Sequence, residues 1–146
     1  MQQDLQKELN RHLANWSVLY FKLHHYHWFV KGNQFFELHQ KFEEFYNEAA
    51  SYVDEIAEFL LARGGSPIST MREFLDQATI KEAAGNETAE QMVQQVIEDF
   101  KAILEEAKAT VKAAESKGDT ATADLFTGLV GKLEKHIWML TAYTAK

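Results

Sequence analysis

Apolar positions recur at spacings of three and four through most of the chain, the period of an amphipathic helix. From about Asp4 to Val30 the stripe is Leu5, Leu9, Leu13, Trp16, Leu19, Tyr20, Leu23 and Tyr26, and Gly32-Asn33 breaks it. A second helix is predicted from about Phe36 to Arg63, with Leu38, Phe42, Phe45, Ala49, Tyr52, Val53, Ile56, Phe59 and Leu60 as its apolar face. Gly64, Gly65 and Pro67 stop it, as a glycine followed by proline does at a helix end. Thr70-x-x-Glu73 resembles a capping box that opens a short helix including Met71, Phe74 and Leu75. Thr88-x-x-Gln91 opens a third long helix, whose stripe is Val93, Val96, Ile97, Phe100, Ile103, Leu104, Ala107 and Val111. Lys117-Gly118-Asp119 ends that helix, and Asp119 or Thr120 can cap a fourth. The fourth is expected to bury Leu125, Leu129, Leu133, Ile137 and Leu140 and to carry Trp138. Neither an internal repeat nor a low-complexity stretch is present.

Short links make helices one and two, and three and four, antiparallel pairs. The link between two and three is roughly twenty residues, long for adjacent antiparallel helices but natural for a crossover along a bundle of ~40 Å. The predicted fold is therefore all-α: a ferritin-like four-helix bundle with a short extra helix in the long crossover, residues 1–146 forming one domain. An up-down bundle with a decorated loop is the competing topology.

A chain of 146 residues can bury ~68–70% of its unfolded surface in a single core. Having no cysteine, it has no thiolate zinc site, iron–sulfur cluster or disulfide framework. The amino terminus MQQDLQKELN is polar and no stretch approaches ~18 apolar residues. A soluble, cytoplasmic protein without membrane contact is expected. The net charge of −7 repels nucleic-acid phosphate, and Lys7 and Arg11 are offset by Asp4 and Glu8. With no basic arm or tail, DNA binding is disfavoured.

Charge changes the picture most in the second helix. His39 and Glu43, and Asp54 and Glu58, are two pairs at i,i+4 spacing. At ~100° per residue, Glu43, Asp54 and Glu58 fall ~40°, ~60° and ~100° from His39, so all four share one flank. Glu43 and Asp54 are nevertheless ~16 Å apart along the axis, while imidazole and carboxylate bond metals at only ~2 Å. A second copy of the helix, antiparallel across a two-fold axis, brings together residues whose numbers sum to about 97, matching 39 with 58 and 43 with 54. Ala50 and Ala57 lie at ~20° and ~0° from His39, with Asn47 at ~80°, which lets two helices approach there. Glu44, Glu48 and Glu55 fall ~140–180° away and read as solvated. Imidazole with carboxylates suits iron, manganese or zinc. Bundles that complete a di-iron site inside one subunit use Glu-x-x-His. Here the residues three before His12, His27, His39 and His136 are Leu9, His24, Phe36 and Leu133. No intrasubunit site of that kind is encoded, and the sequence leaves His24, His25 and His27 as equal candidates for a further ligand.

The stretch His27-Trp28-x3-Gly32-x2-Phe35-Phe36-x-Leu38-His39-x2-Phe42-x3-Tyr46, then Asp54-Glu55-x-Ala57-Glu58 and Gly64-Gly65-x-Pro67, resembles the Dps family of mini-ferritins. Glu134-Lys135-His136-x-Trp138-Met139-Leu140 is also similar to that family, so the likeness spans essentially the whole chain. It implies a hollow shell of twelve four-helix subunits that oxidises Fe(II), preferably with hydrogen peroxide, and stores ferric mineral. It also implies two irons per inter-subunit site, with His27, His39 and Glu43 from one chain and Asp54 and Glu58 from its two-fold mate. Trp28 is implied as an electron donor, with a core anchor as its alternative role. Asp119 and Asp124 map onto the family's acidic pores, although Asp119 also suits a helix cap. Three positions depart from the usual pattern: Glu43 where Asp is common, Phe59 where Arg is frequent, and Gly128 in place of a third pore acid.

The expected function is thus that of an iron-sequestering ferroxidase. A nucleoid-compacting protein with secondary iron chemistry is the alternative, disfavoured by the missing basic tail. A structural bundle whose acidic pairs merely rim an interface is the third.

Overall fold

The computed structural model describes residues 1–146. Five helices and no strand are present: α1 Gln3–Phe29, α2 Phe35–Ala62, α3 Met71–Gln77, α4 Ala89–Ser116 and α5 Thr120–Thr144. Each predicted helix end falls within one or two residues of the observed one. None of these helices is long and apolar enough to cross a membrane. Two compact units divide the chain, Met1–Met92 and Val93–Lys146.

In the first unit α1 packs against both α2 and α3. Its buried surface is consequently wider than one apolar stripe: Leu5, Leu9, Leu13, Trp16, Leu19, Leu23 and Tyr26 are joined by Asn10, Asn15 and Lys22. Tyr20, expected in the stripe, is only half-buried. The two asparagines strap the segment after α2 onto α1. Asn10 donates to the Ser66 carbonyl at 3.1 Å and accepts from the Ile68 N–H at 3.0 Å. Asn15 accepts from the Thr79 and Ile80 N–H groups at 2.7 and 3.1 Å and donates to Thr79 Oγ1 at 3.0 Å.

Helix α2 ends in a Schellman turn. Gly64 has φ +78°, its N–H donates to the Leu61 carbonyl at 3.1 Å, and the Gly65 N–H donates to the Leu60 carbonyl at 2.7 Å. The Thr70 side chain caps α3 while Glu73 reaches back to the Thr70 N–H, completing the predicted capping box. Thr88 and Gln91 are paired in the same way before α4, at 3.1 and 2.9 Å.

In the second unit Gly118, at φ +71°, lets the chain reverse between α4 and α5. Asp119 then accepts from the Thr122 N–H at 3.1 Å and the Thr122 hydroxyl at 2.7 Å. It is a helix cap, as its position suggested. The buried face of α5 is Thr122, Ala123, Phe126, Leu129, Leu133 and Leu140. Leu125 and Ile137, expected inside, are half-buried because the face is turned toward Phe126. Val111 of α4 is likewise half-buried, while Thr110 and Ala114 take the inner places.

Candidate metal centre

The α1–α2 hairpin closes through Gly32, whose φ of +113° is readily adopted only by glycine. That turn sets the last turn of α1 beside the second turn of α2 and so places His27 against His39. Their rings stack at 3.7 Å between centroids with 14° between planes. His27 Nδ1–H donates to the His39 carbonyl at 2.6 Å, and His39 Nδ1–H donates to the His27 carbonyl at 2.7 Å. A carbonyl can only accept, so both Nδ1 atoms carry the proton. Nε2 is then the nitrogen that each ring has available for a metal, its Nδ1–H being tied to a backbone carbonyl.

Glu43 stands one helical turn beyond His39, its Oε1 3.8 Å from His27 Nε2. That is too long for a hydrogen bond. One ion bonded to both atoms at ~2.1 Å would subtend roughly 130°, and Glu43, with 52% of its side chain exposed, has room to swing closer. His27 is buried, whereas Glu43, Asp54 and Glu58 are exposed and His39 is half-buried. The chain thus brings His27, His39 and Glu43 together and leaves Asp54 and Glu58 further along α2. No three His, Asp or Glu side chains gather closely enough to hold a metal ion by themselves.

Aromatic rings surround the imidazole pair. Phe35 lies nearly parallel to His39 at 4.9 Å and 21°. Tyr46 meets His27 edge-on at 5.3 Å and 86°, and itself stacks on His24 at 3.6 Å. Burial first, then the charge of Glu43 and the neighbouring Tyr20, push the Tyr46 hydroxyl above its ordinary range. It therefore remains a neutral phenol near pH 7. Trp28 is 61% exposed and touches His24 at 5.3 Å, so a core-anchor role is excluded for it. Glu48 is not simply solvated: it accepts from the Tyr52 hydroxyl at 2.7 Å, and burial with this carboxylate raises the Tyr52 hydroxyl well above its normal range. Asp124 and Gly128 are exposed on α5. Phe35 lies at i,i+4 from His39 on α2, a spacing the sequence carries, whereas the Tyr46 contacts with His27 and His24 join α2 to α1 and have no helical period.

An antiparallel helix pair with histidine and carboxylate at facing turns, in an all-α chain with a short helix between the second and third long ones, defines a ferritin-like protein. A ferritin-like domain matches residues 6–146. The chain is 54% identical to general stress protein 20U of Bacillus subtilis over 98% of its own length and 99% of the relative's. It is 51% identical to DNA protection during starvation protein 2 of Bacillus anthracis, covering 92% of each. The crystal structure of Dps from Staphylococcus aureus superposes with a TM-score of 0.97 at 48% identity, over 99% of this chain and 97% of that one. Dps of Vibrio cholerae, described as a member of a superfamily of ferritin-like diiron-carboxylate proteins, superposes at 0.94 with 34% identity, over 98% of this chain and 90% of that one. The chain belongs to the Dps family, and its fold is the ferritin-like four-helix bundle.

Proposed function

We propose that this protein is an iron-storing ferroxidase of a closed homo-oligomeric shell, with residues 1–146 as one ferritin-like subunit. Fe(II) is its substrate. His27, His39 and Glu43 of one subunit and Asp54 and Glu58 of a two-fold-related copy hold two ions per site. The observation that carries this reading is the reciprocal pinning of two imidazoles through Nδ1–H, which leaves both Nε2 atoms to face a ligand beside a carboxylate. Such a set is short of ligands, while an acidic pair lies exposed on the same helix flank.

Two Fe(II) each yield one electron to a single hydrogen peroxide, which takes up two protons and leaves as two waters. The residues supply position and charge: the carboxylates offset the charge gained on forming Fe(III), and the imidazoles fix where each ion sits. Paired transfer avoids the one-electron cleavage that releases hydroxyl radical. Trp28 serves as a donor of a missing electron, and Asp119 and Asp124 line the route for incoming iron, Asp119 also acting as a cap. The ferric product is stored as mineral inside a shell of roughly twelve subunits in the cytoplasm, protecting the cell against oxidative damage. A net charge of −7 repels nucleic-acid phosphate and disfavours DNA as a partner. Exposed Phe21, Phe29, Met71 and Leu75 provide apolar surface of the kind that subunits bury.

The test is peroxide-dependent Fe(II) oxidation after anaerobic loading. His39→Ala and Asp54→Ala are expected to slow it ~100-fold without dissolving the particle, with an Fe:peroxide ratio near two in the parent. Unchanged rates in both variants discard the site.

A further inference from the structure

The two histidine hydrogen bonds select which nitrogen carries the proton, but they leave the plane of each ring free. Each ring can still turn about its Cβ–Cγ bond, a terminal torsion with a broad, roughly two-fold preference. An ion held on Nε2 would lie ~2 Å off that axis, so a ~20° turn would displace it by ~0.7 Å. Misplacement of ~1 Å can cost on the order of 10²-fold in rate. Something other than the hydrogen bonds must set the planes.

We propose that Phe35 and Tyr46 are positioning residues for the iron site, fixing the ring planes of His39 and His27 so that both Nε2 atoms present one defined pair of coordination directions. His39 is held between two nearly parallel rings, His27 at 3.7 Å and Phe35 at 4.9 Å. His27 has His39 against one face and the Tyr46 ring edge-on at 5.3 Å. Tyr46 is steadied in turn by His24, stacked at 3.6 Å and 18°, whose Nδ1–H is tied to the Tyr20 carbonyl at 2.8 Å. Phe35, His39, His27, Tyr46 and His24 thus form one row of rings, three from α2 and two from α1. Each aromatic contact of this kind contributes ~0.5–1.5 kcal/mol, enough to favour one ring orientation several-fold.

The proposal rests on the ferroxidase reading, so the experiment separates the two. Co(II) serves as a spectroscopic probe alongside the rate of peroxide-dependent Fe(II) oxidation, with particle mass and helix content followed in every variant. Phe35→Leu and Tyr46→Leu are expected to shift the visible Co(II) spectrum and to lower both Co(II) affinity and oxidation rate by ~10-fold or more, with mass and helicity unchanged. Phe35→Tyr and Tyr46→Phe, which keep the ring, are expected to restore spectrum and rate. Parent-like spectra and rates in both leucine variants, with His39→Ala inactive, overturn the positioning role alone. Tyr46→Phe failing as badly as Tyr46→Leu assigns the effect to the hydroxyl and also overturns it. If His39→Ala binds Co(II) and oxidises iron like the parent, both readings fall. Should Phe35→Leu not assemble, the two Tyr46 variants decide.

Discussion

Tyr26 and Glu87 meet 61 residues apart in sequence, the tyrosine hydroxyl donating to the carboxylate at 2.6 Å. Burial acts to raise the Glu87 carboxyl, yet donors from Tyr26 and from the backbone of Glu87, Ala84 and Gly85 outweigh it and hold the group down at about 2 rather than 4.5. A depressed folded-state value means stability that is complete above the unfolded value and is lost as pH falls between about 4.5 and about 2. Tyr26→Phe is therefore expected to destabilise the protein by about 1 kcal/mol at pH 7, after allowance for partial solvent screening. The gap should narrow as pH is lowered toward 2. Denaturant titrations of both proteins across that range provide the check, and a gap independent of pH would contradict the assignment. The histidine pair behaves differently. Each imidazole is tied to the other residue's backbone carbonyl, so His39→Ala removes a ring and the proposed ligand but leaves the acceptor that fixes the His27 tautomer.

At the scale of helices, α1 does more than its apolar stripe requires. Asn15 satisfies two backbone N–H groups of the segment leading away from α3. Asn15→Ala leaves both without that partner, at a cost of about 2 kcal/mol or more. Faster amide exchange at Thr79 and Ile80 is the expected signature, and unchanged exchange there would refute it. Gly65 makes a second case: an added Cβ would lie 2.8 Å from Gln6 Oε1 and 3.2 Å from Leu60 atoms. Gln6 Oε1 is itself the acceptor for the Ser66 N–H at 3.0 Å. Gly65→Ala is expected to loosen this corner and lower stability by about 1 kcal/mol or more in denaturant titration. Element ends were legible because their signals are local: a capping box or a glycine after an apolar run acts within four residues. The asparagine straps were not, since a polar residue on an amphipathic helix reads as solvent-facing unless its partner, 56 to 65 residues away, is known. The same limit governs the candidate site. His39, Glu43, Asp54 and Glu58 are singled out by spacing on one helix and His27 by family resemblance, while Phe35 and Tyr46 stand in the same motif with nothing in their residue types to tie them to the histidine rings.

For the whole assembly the decisive question is whether one site takes ligands from two chains. Light scattering near 200 kDa, roughly twelve subunits of 16.8 kDa, is necessary but does not show how ligands are shared. Mixing variants does. His39→Ala and Asp54→Ala should each be inactive alone, because every site then lacks a ligand. In a particle co-assembled from both, a mixed two-fold pair contains one site lacking both ligands and one built from the intact His39 of one chain and the intact Asp54 of the other. Random equal mixing makes about half of the pairs mixed, so about a quarter of all sites regain a full ligand set. Peroxide-dependent Fe(II) oxidation should return to about a quarter of the parent rate, whereas a simple blend of the two separately purified particles should remain inactive. A site contained in one chain offers no such rescue, since no subunit in the mixture carries both ligands. Co-assembled particles with no recovery would therefore reject shared coordination even if each single variant is inactive as expected.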